Sequence, residues 1–168
     1  MFDDNFNKKD MITLQELLRA NRQTITAAES CTGGLVASMI TKIPGSSDIF
    51  NGSIVTYSNK IKNQELDVKN ETLDKFGAVS SEVVEEMLDG VKKKFSADFA
   101  IAISGIAGPG GKTKNKNVGT VVIGIAYPNA HKMVTEYHFK GTREEVQIQA
   151  ANTTFKEILK FLQKTLDK

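Results

Sequence analysis

The sequence predicts an α/β layered domain built on a mixed sheet, parallel at first and antiparallel at one edge. Two observations carry that expectation. Helical and strand patterns alternate through the first part of the chain, and two β-rich segments joined by a short turn follow late in it. The 168 residues, 40% of them hydrophobic, suffice for one domain with a sizeable core, so 1–168 is read as a single unit.

From about Asp10 to Arg22, Met11, Leu14, Leu17 and Leu18 recur at helical spacing, with Asp10 as the expected N-cap. Thr24–Glu29 is short and rich in β-branched residues, the pattern of a buried strand. It runs into Ser30-Cys31-Thr32-Gly33-Gly34, then into a helical stripe of Leu35, Val36, Met39, Ile40 and Ile43 that Pro44-Gly45 stops. Ile49–Tyr57 reads as a second strand, followed by a short helical patch around Lys62 to Leu66. Ser80-Ser81-Glu82 opens a helix with Val83, Val84, Met87, Leu88, Val91 and Phe95 on one face. Phe99–Ile103 is an apolar run of buried-strand length that ends in the glycine-dense loop Ser104–Gly111. The segments of about Gly119–Tyr127 and His131–Phe139 form a hairpin through Pro128-Asn129-Ala130, and a last helix covers about Thr142 to Lys164.

Composition narrows the function. Lys and Arg total 22 against 20 for Asp and Glu, a net charge of +2, so the basic excess of a nucleic-acid partner is missing. No stretch approaches the roughly 20 apolar residues of a membrane span, and the N-terminus has no signal-peptide run, so a cytoplasmic protein without a membrane partner is expected. One cysteine and two histidines, His131 and His138, are too few for a disulfide or a structural zinc site. Neither a metal nor a cofactor is expected.

Two glycine clusters compete as ligand loops. Ile106–Thr113 looks like a phosphate-binding P-loop, but it lacks glycine at the first position and no apolar helix follows. Lys112, Lys114 and Lys116 then read as solvated loop lysines, while Ser104–Pro109, leaving the C-terminal end of a strand, lies where open α/β sheets place ligands. The second cluster, Glu29 to Gly34, joins a strand to a helix. Amides at such a helix start can hold a phosphate or an oxyanion, and two glycines admit a ligand close to the backbone. Simple capping by Ser30 or Thr32 is the alternative. As a nucleophile, Ser30 needs a base; either histidine would sit at the edge hairpin, whereas Tyr57-Ser58-Asn59-Lys60-Ile61-Lys62 brings lysines to the end of the neighbouring strand. A lysine loses its charge readily when desolvated, but the default for both lysines is a solvated surface position, which spacing alone does not overturn.

The blocks Thr26–Gly34 (T-A-A-E-S-C-T-G-G), Val55–Lys62 (V-T-Y-S-N-K-I-K), Gly77–Ser80, Ser104–Pro109, Val118–Thr120 and Gly141–Arg143 occur in the order seen in one family. Over roughly Leu14 to Leu162 the chain resembles a stand-alone CinA C-terminal domain, the family of nicotinamide-nucleotide amidases. The resemblance implies a three-layer α/β/α fold. It also implies metal-independent hydrolysis of the carboxamide of nicotinamide mononucleotide to nicotinate mononucleotide and ammonia, a step of pyridine-nucleotide salvage. The family's serine falls on Ser30, its tyrosine on Tyr57, its lysine on Lys62 and an arginine on Arg143; a second arginine common in the family is Gln147 here.

On that footing Ser30 is expected to attack while a neutral Lys62 takes its proton, and Tyr57 to orient Lys62 or relay the proton to the leaving nitrogen. Amides around Thr32, Gly33 and Gly34 would stabilise either the oxyanion or the 5′-phosphate. Arg143 would clamp the phosphate, and Ser104, Gly105 and Gly108 would line the substrate site. A homo-oligomer, a dimer as the commonest symmetric state, is expected. The rival functions are a non-catalytic nucleotide-binding or assembly module of the same fold and a serine–lysine hydrolase of another amide.

Overall fold

The computed structural model describes residues 1–166. Helix α1 (Lys8–Ala20) leads into β1 (Ile25–Glu29), α2 (Leu35–Thr41), a 3₁₀ turn at Ser46–Asp48 and β2 (Ile54–Val55). Three helices follow, α3 (Asn59–Leu66), α4 (Asn70–Phe76) and α5 (Ser81–Phe95), and then β3 (Phe99–Gly105), β4 (Thr120–Ala126), β5 (Lys132–His138) and α6 (Arg143–Leu166). The five strands form one sheet in the order β2-β1-β3-β4-β5. β1 pairs in parallel with both β2 and β3, while β4 is antiparallel to β3 and to β5, so β4 alone runs against the other four.

Strand alternation sets the two helical layers. Ile25, Ala27, Ile101, Ile103, Val121, Ile123 and Ile125 face α1, α2 and α6, and Ala28, Ala100, Ala102, Val122 and Ala126 face α3, α4 and α5. The second face carries small residues, which lets α5 lie close to the sheet: a Cβ at Gly124 would come 2.7 Å from both Val84 and Leu88. The α/β/α layering that the sequence implied is the layering found.

Three local expectations change. Asp10 is not the N-cap of α1; Asn7 is, accepting from the amides of Lys9 and Asp10, while Asp10 at the third helical position returns a bond to the Asn7 amide. The strand expected over Ile49–Tyr57 shrinks to two ladder residues, because Ile49 enters the core from a turn and Asn51-Gly52-Ser53 intervenes before pairing begins. Helix α4 was absent from the sequence reading, since seven residues with one buried anchor, Leu73, leave no periodic stripe.

The close approach that matters most for the site is between α3 and α5. A Cβ on Gly90 would overlap the carbonyl oxygen of Leu66 and lie 2.8 Å from its Cα, so only glycine lets α5 seat the end of α3 at this depth. On α3, Lys62 and Leu66 are the two buried positions, one turn apart. The packing that buries Leu66 therefore also drives Lys62 inward. Among the described residues no helix is long and apolar enough to cross a membrane.

Candidate active site

β1 and β3 are parallel neighbours whose following segments depart differently: β1 turns into α2 on one layer, and β3 turns into the loop that leads to antiparallel β4. A crevice opens at the carboxyl ends of such strands. Here it is a cavity of about 510 Å³ that collects Ser30, Tyr57, Lys62, Ser104, Gly105, Gly108 and Arg143 from five separate stretches of chain.

Ser30 ends β1. Its amide donates to the Ile103 carbonyl and the Thr56 amide donates to the Glu29 carbonyl, so both parallel ladders extend into the turns that carry Ser30 and lead to Lys62. Lys62 is 1% exposed and Ser30 8%. Lys62 Nζ lies 3.0 Å from Ser30 Oγ, 2.8 Å from the Thr56 carbonyl and 3.3 Å from the Tyr57 carbonyl. Burial pushes the Lys62 ammonium down from 10.5 to about 8. In the neutral amine two N–H bonds satisfy the two carbonyls, and the remaining tetrahedral position, the lone pair, points at the serine hydroxyl. That is the geometry of a general base.

Glu29, which the sequence did not single out, holds the turn that carries Ser30. It is fully buried, and its carboxylate accepts from the amides of Gly34, Val36 and Ala37. A buried carboxylate thus caps the start of α2, where anionic charge is favourable. Its signal in the sequence was an acid inside an otherwise apolar strand.

That cap relocates the expected ligand amides. The Gly34 amide is taken by Glu29, the Gly33 amide donates to the Ser30 carbonyl, and Thr32, Gly33 and Gly34 do not line the cavity. The glycines serve the turn instead, with φ of 59° at Gly33 and 104° at Gly34, a region hostile to other residues. Among the described residues the amides of Cys31 and Thr32 bond to no other residue, and of the two only Cys31 lines the cavity, which leaves its amide as the donor this turn offers there. Gln147 Nε2 donates to the Cys31 carbonyl at 2.8 Å and so steadies the same turn from α6.

Tyr57 and Lys62 meet through the tyrosine's backbone only. The phenol is turned away, 59% of the residue is exposed, and Arg143 Nη2 donates to its Oη at 2.7 Å. Of the two roles expected of Tyr57, the contact that could orient Lys62 is made by its carbonyl, and the phenol makes no hydrogen bond to the amine. Arg143 Nη1 donates to the Gly108 carbonyl at 2.8 Å, so this one guanidinium ties Tyr57 on one wall to the glycine loop on the other. Ser104 Oγ donates to the Ala78 carbonyl and fixes the cavity floor. Of the three loop lysines read as solvated, Lys112 and Lys114 are exposed, whereas Lys116 Nζ reaches the Val79 carbonyl.

Cys31, next to the serine, is buried, and burial pushes its thiol up to about 12. A thiol held that firmly protonated is a poor nucleophile. Neither histidine joins the cleft: His131 stacks on Tyr127 and His138 pairs with Glu136.

Fold and cleft together define an α/β domain with a serine–lysine pair at the crevice of a mixed sheet. Residues 8–162 match the family described as the CinA C-terminal domain, and the chain belongs to that family. A CinA-like protein of Prochlorococcus marinus strain MIT 9312 is 50% identical over 149 residues, 89% of this chain and 35% of that protein. One from Thermotoga neapolitana is 43% identical over 162 residues, 96% of this chain and 39% of the relative. The chain thus spans little more than a third of the length of these relatives. Among solved structures, the competence/damage-inducible protein CihA of Agrobacterium tumefaciens superposes with a TM-score of 0.90 at 34% identity, covering 97% of this chain and 98% of that one. A CinA superfamily protein of Klebsiella pneumoniae gives 0.89 at 31%, covering 94% and 98%.

Proposed function

We propose that this chain hydrolyses the carboxamide of nicotinamide mononucleotide to nicotinate mononucleotide and ammonia. The observation that carries the reading is the buried 3.0 Å contact between Ser30 Oγ and Lys62 Nζ, with the amine oriented by two carbonyls. Ser30 Oγ attacks the carboxamide carbon while Lys62 takes the hydroxyl proton. The negative charge that develops on the carbonyl oxygen meets the amide of Cys31. Collapse of the tetrahedral intermediate breaks the carbon–nitrogen bond, Lys62 returns the proton to the departing nitrogen, and ammonia leaves an acyl-serine ester. Water, deprotonated by Lys62, then attacks that ester, the bond from the carbonyl carbon to Ser30 Oγ breaks, and Lys62 returns the proton to Ser30 Oγ as the acid is freed. Both proton movements pass through the amine, so the Tyr57 phenol has no required part in them.

The opposite wall suits the 5′-phosphate. Arg143 keeps N–H groups beyond the two it uses, and among the described residues the amides of Ala107, Gly108, Gly110 and Gly111 are without an acceptor. The test is to incubate the protein with nicotinamide mononucleotide, without added metal, and to assay ammonia and the acidic product. Ser30→Ala and Lys62→Met should each cost about 10²–10⁴-fold or more in turnover while remaining folded. Binding of the nucleotide by the unsubstituted chain without ammonia release would replace this reading with a non-catalytic binding module.

A further inference from the structure

Beside the cleft lies a second cavity of about 380 Å³, within the range of small-molecule sites. The two share Ala78, Val79, Ile106 and Gly111, so they adjoin along these small and apolar residues. Lys75 and Lys116 line the second cavity together with Thr113 and Asn115, and among the described residues neither cavity is lined by Asp or Glu. Lys116 Nζ donates to the carbonyl of Val79, one of the shared residues, which places one ammonium where the two cavities meet. The Lys75 ammonium stands 5.1 Å from the centroid of the Phe76 ring, itself 39% exposed at the rim. Cations without a carboxylate to neutralise them call for an anion, and an exposed ring beside them offers a stacking face to a planar heterocycle.

We infer that this groove is a second subsite of the same channel and takes the phosphorylated, ring-bearing far half of a dinucleotide whose carboxamide half lies at Ser30. The placement of the near half rests on the amidase reading above; the groove's preference for a second phosphorylated half rests on Lys75, Lys116 and Phe76. The ligand class is therefore a pyridine dinucleotide, bound across both cavities with its near-half phosphate toward Arg143 and its far-half phosphate at the lysines.

The test is calorimetric titration of the intact chain with nicotinamide adenine dinucleotide, nicotinamide mononucleotide and adenosine monophosphate, in the unsubstituted protein and in Lys75→Ala/Lys116→Ala. The double variant should weaken the dinucleotide about tenfold or more relative to the mononucleotide. Adenosine monophosphate should compete with the dinucleotide and bind alongside the mononucleotide. Lys116→Gln keeps a donor for the Val79 carbonyl while removing the charge; it should reproduce part of the loss and so separates charge from loop collapse. The subsite is overturned if the dinucleotide fails to bind, or if both lysine variants weaken the two ligands equally. Lysine-dependent dinucleotide binding in a protein that releases no ammonia would uphold the subsite while discarding the amidase reading.

Discussion

On the β1 side of the cleft the reacting groups are buried and already partnered: Lys62 on Ser30 and two carbonyls, Glu29 on three amides. On the facing side Arg143 and Pro109–Gly111 are exposed and the polar groups are only part used: Arg143 spans Tyr57 and Gly108, and the loop after β3 presents amides with no acceptor among the described residues. Rigid strand and helix ends hold the first wall, and a glycine loop and a helix start hold the second. The difference separates two tasks. A proton-transfer pair needs desolvation and fixed geometry before the substrate arrives, whereas a binding wall keeps its hydrogen-bonding capacity for the ligand.

The largest effects should come from the desolvated amine. Below its folded value of about 8 the Lys62 ammonium cannot take a proton, so kcat/KM should rise about tenfold per pH unit and level off above pH 8. At pH 7 only about one molecule in ten carries the neutral amine. Stability should follow with the same sign. Between pH 8 and 10.5 the unfolded chain binds one more proton at this lysine than the folded chain, so stability rises with pH across that window. Below pH 8 the whole cost, on the order of 3 kcal/mol, is present. Cys31 opposes this above pH 9, where the unfolded thiol ionises and the folded one does not. Urea melts of the protein and of Lys62→Met at pH 7 and pH 9 isolate the lysine: the difference should move in favour of the unsubstituted chain at the higher pH. A constant difference would mean that the amine is not desolvated.

Glu29→Gln should cost about 1–3 kcal/mol, because the amide nitrogen of Gln turns a donor toward helix-start amides that need an acceptor. Turnover should fall as well, since the turn carrying Ser30 is held through that cap. Gly90→Ala tests the same wall from behind. In an exposed helix the change gains about 1 kcal/mol from propensity. Here the methyl meets the Leu66 backbone, and overpacking of about 1–3 kcal/mol should reverse the sign. A lower melting temperature with a reduced kcat would show that α3 shifts and takes Lys62 with it; a higher melting temperature would break the proposed seating.

How much of this was legible in the sequence divides along the same line. Two parallel strand ends brought lysines toward Ser30, but their spacing alone left them solvated; the pairing with Ser30 and the choice of Lys62 over Lys60 came from family resemblance. The helical period now explains that choice: Lys62 lies one turn before buried Leu66, while Lys60 faces solvent. Glu29 and the amides of α2 were not legible, because whether a helix-start amide is free depends on which side chain reaches it in three dimensions. Ser30-Cys31-Thr32-Gly33-Gly34 therefore looked like a ligand cradle, although two of its amides are spent internally. Helix α4 and the short β2 were hidden by tertiary packing in the same way: single anchors such as Leu73 and Ile49 are held by neighbours distant in sequence.

The smallest effect should fall on Tyr57, and it decides how the two walls are joined. A tyrosine that relayed the proton would lose most of its turnover on conversion to phenylalanine. Here the contact to Lys62 is made by the Tyr57 carbonyl, which Tyr57→Phe leaves in place, and the phenol accepts from Arg143. The exposed hydroxyl contributes one charge-assisted hydrogen bond, about 1.5–3 kcal/mol at most and less when screened by solvent. Tyr57→Phe should accordingly raise KM several-fold through a loosened Arg143, with kcat and the pH midpoint near 8 unchanged. A fall in kcat comparable to that of Lys62→Met would move the phenol into the proton path and dissolve the division between a reacting wall and a binding wall.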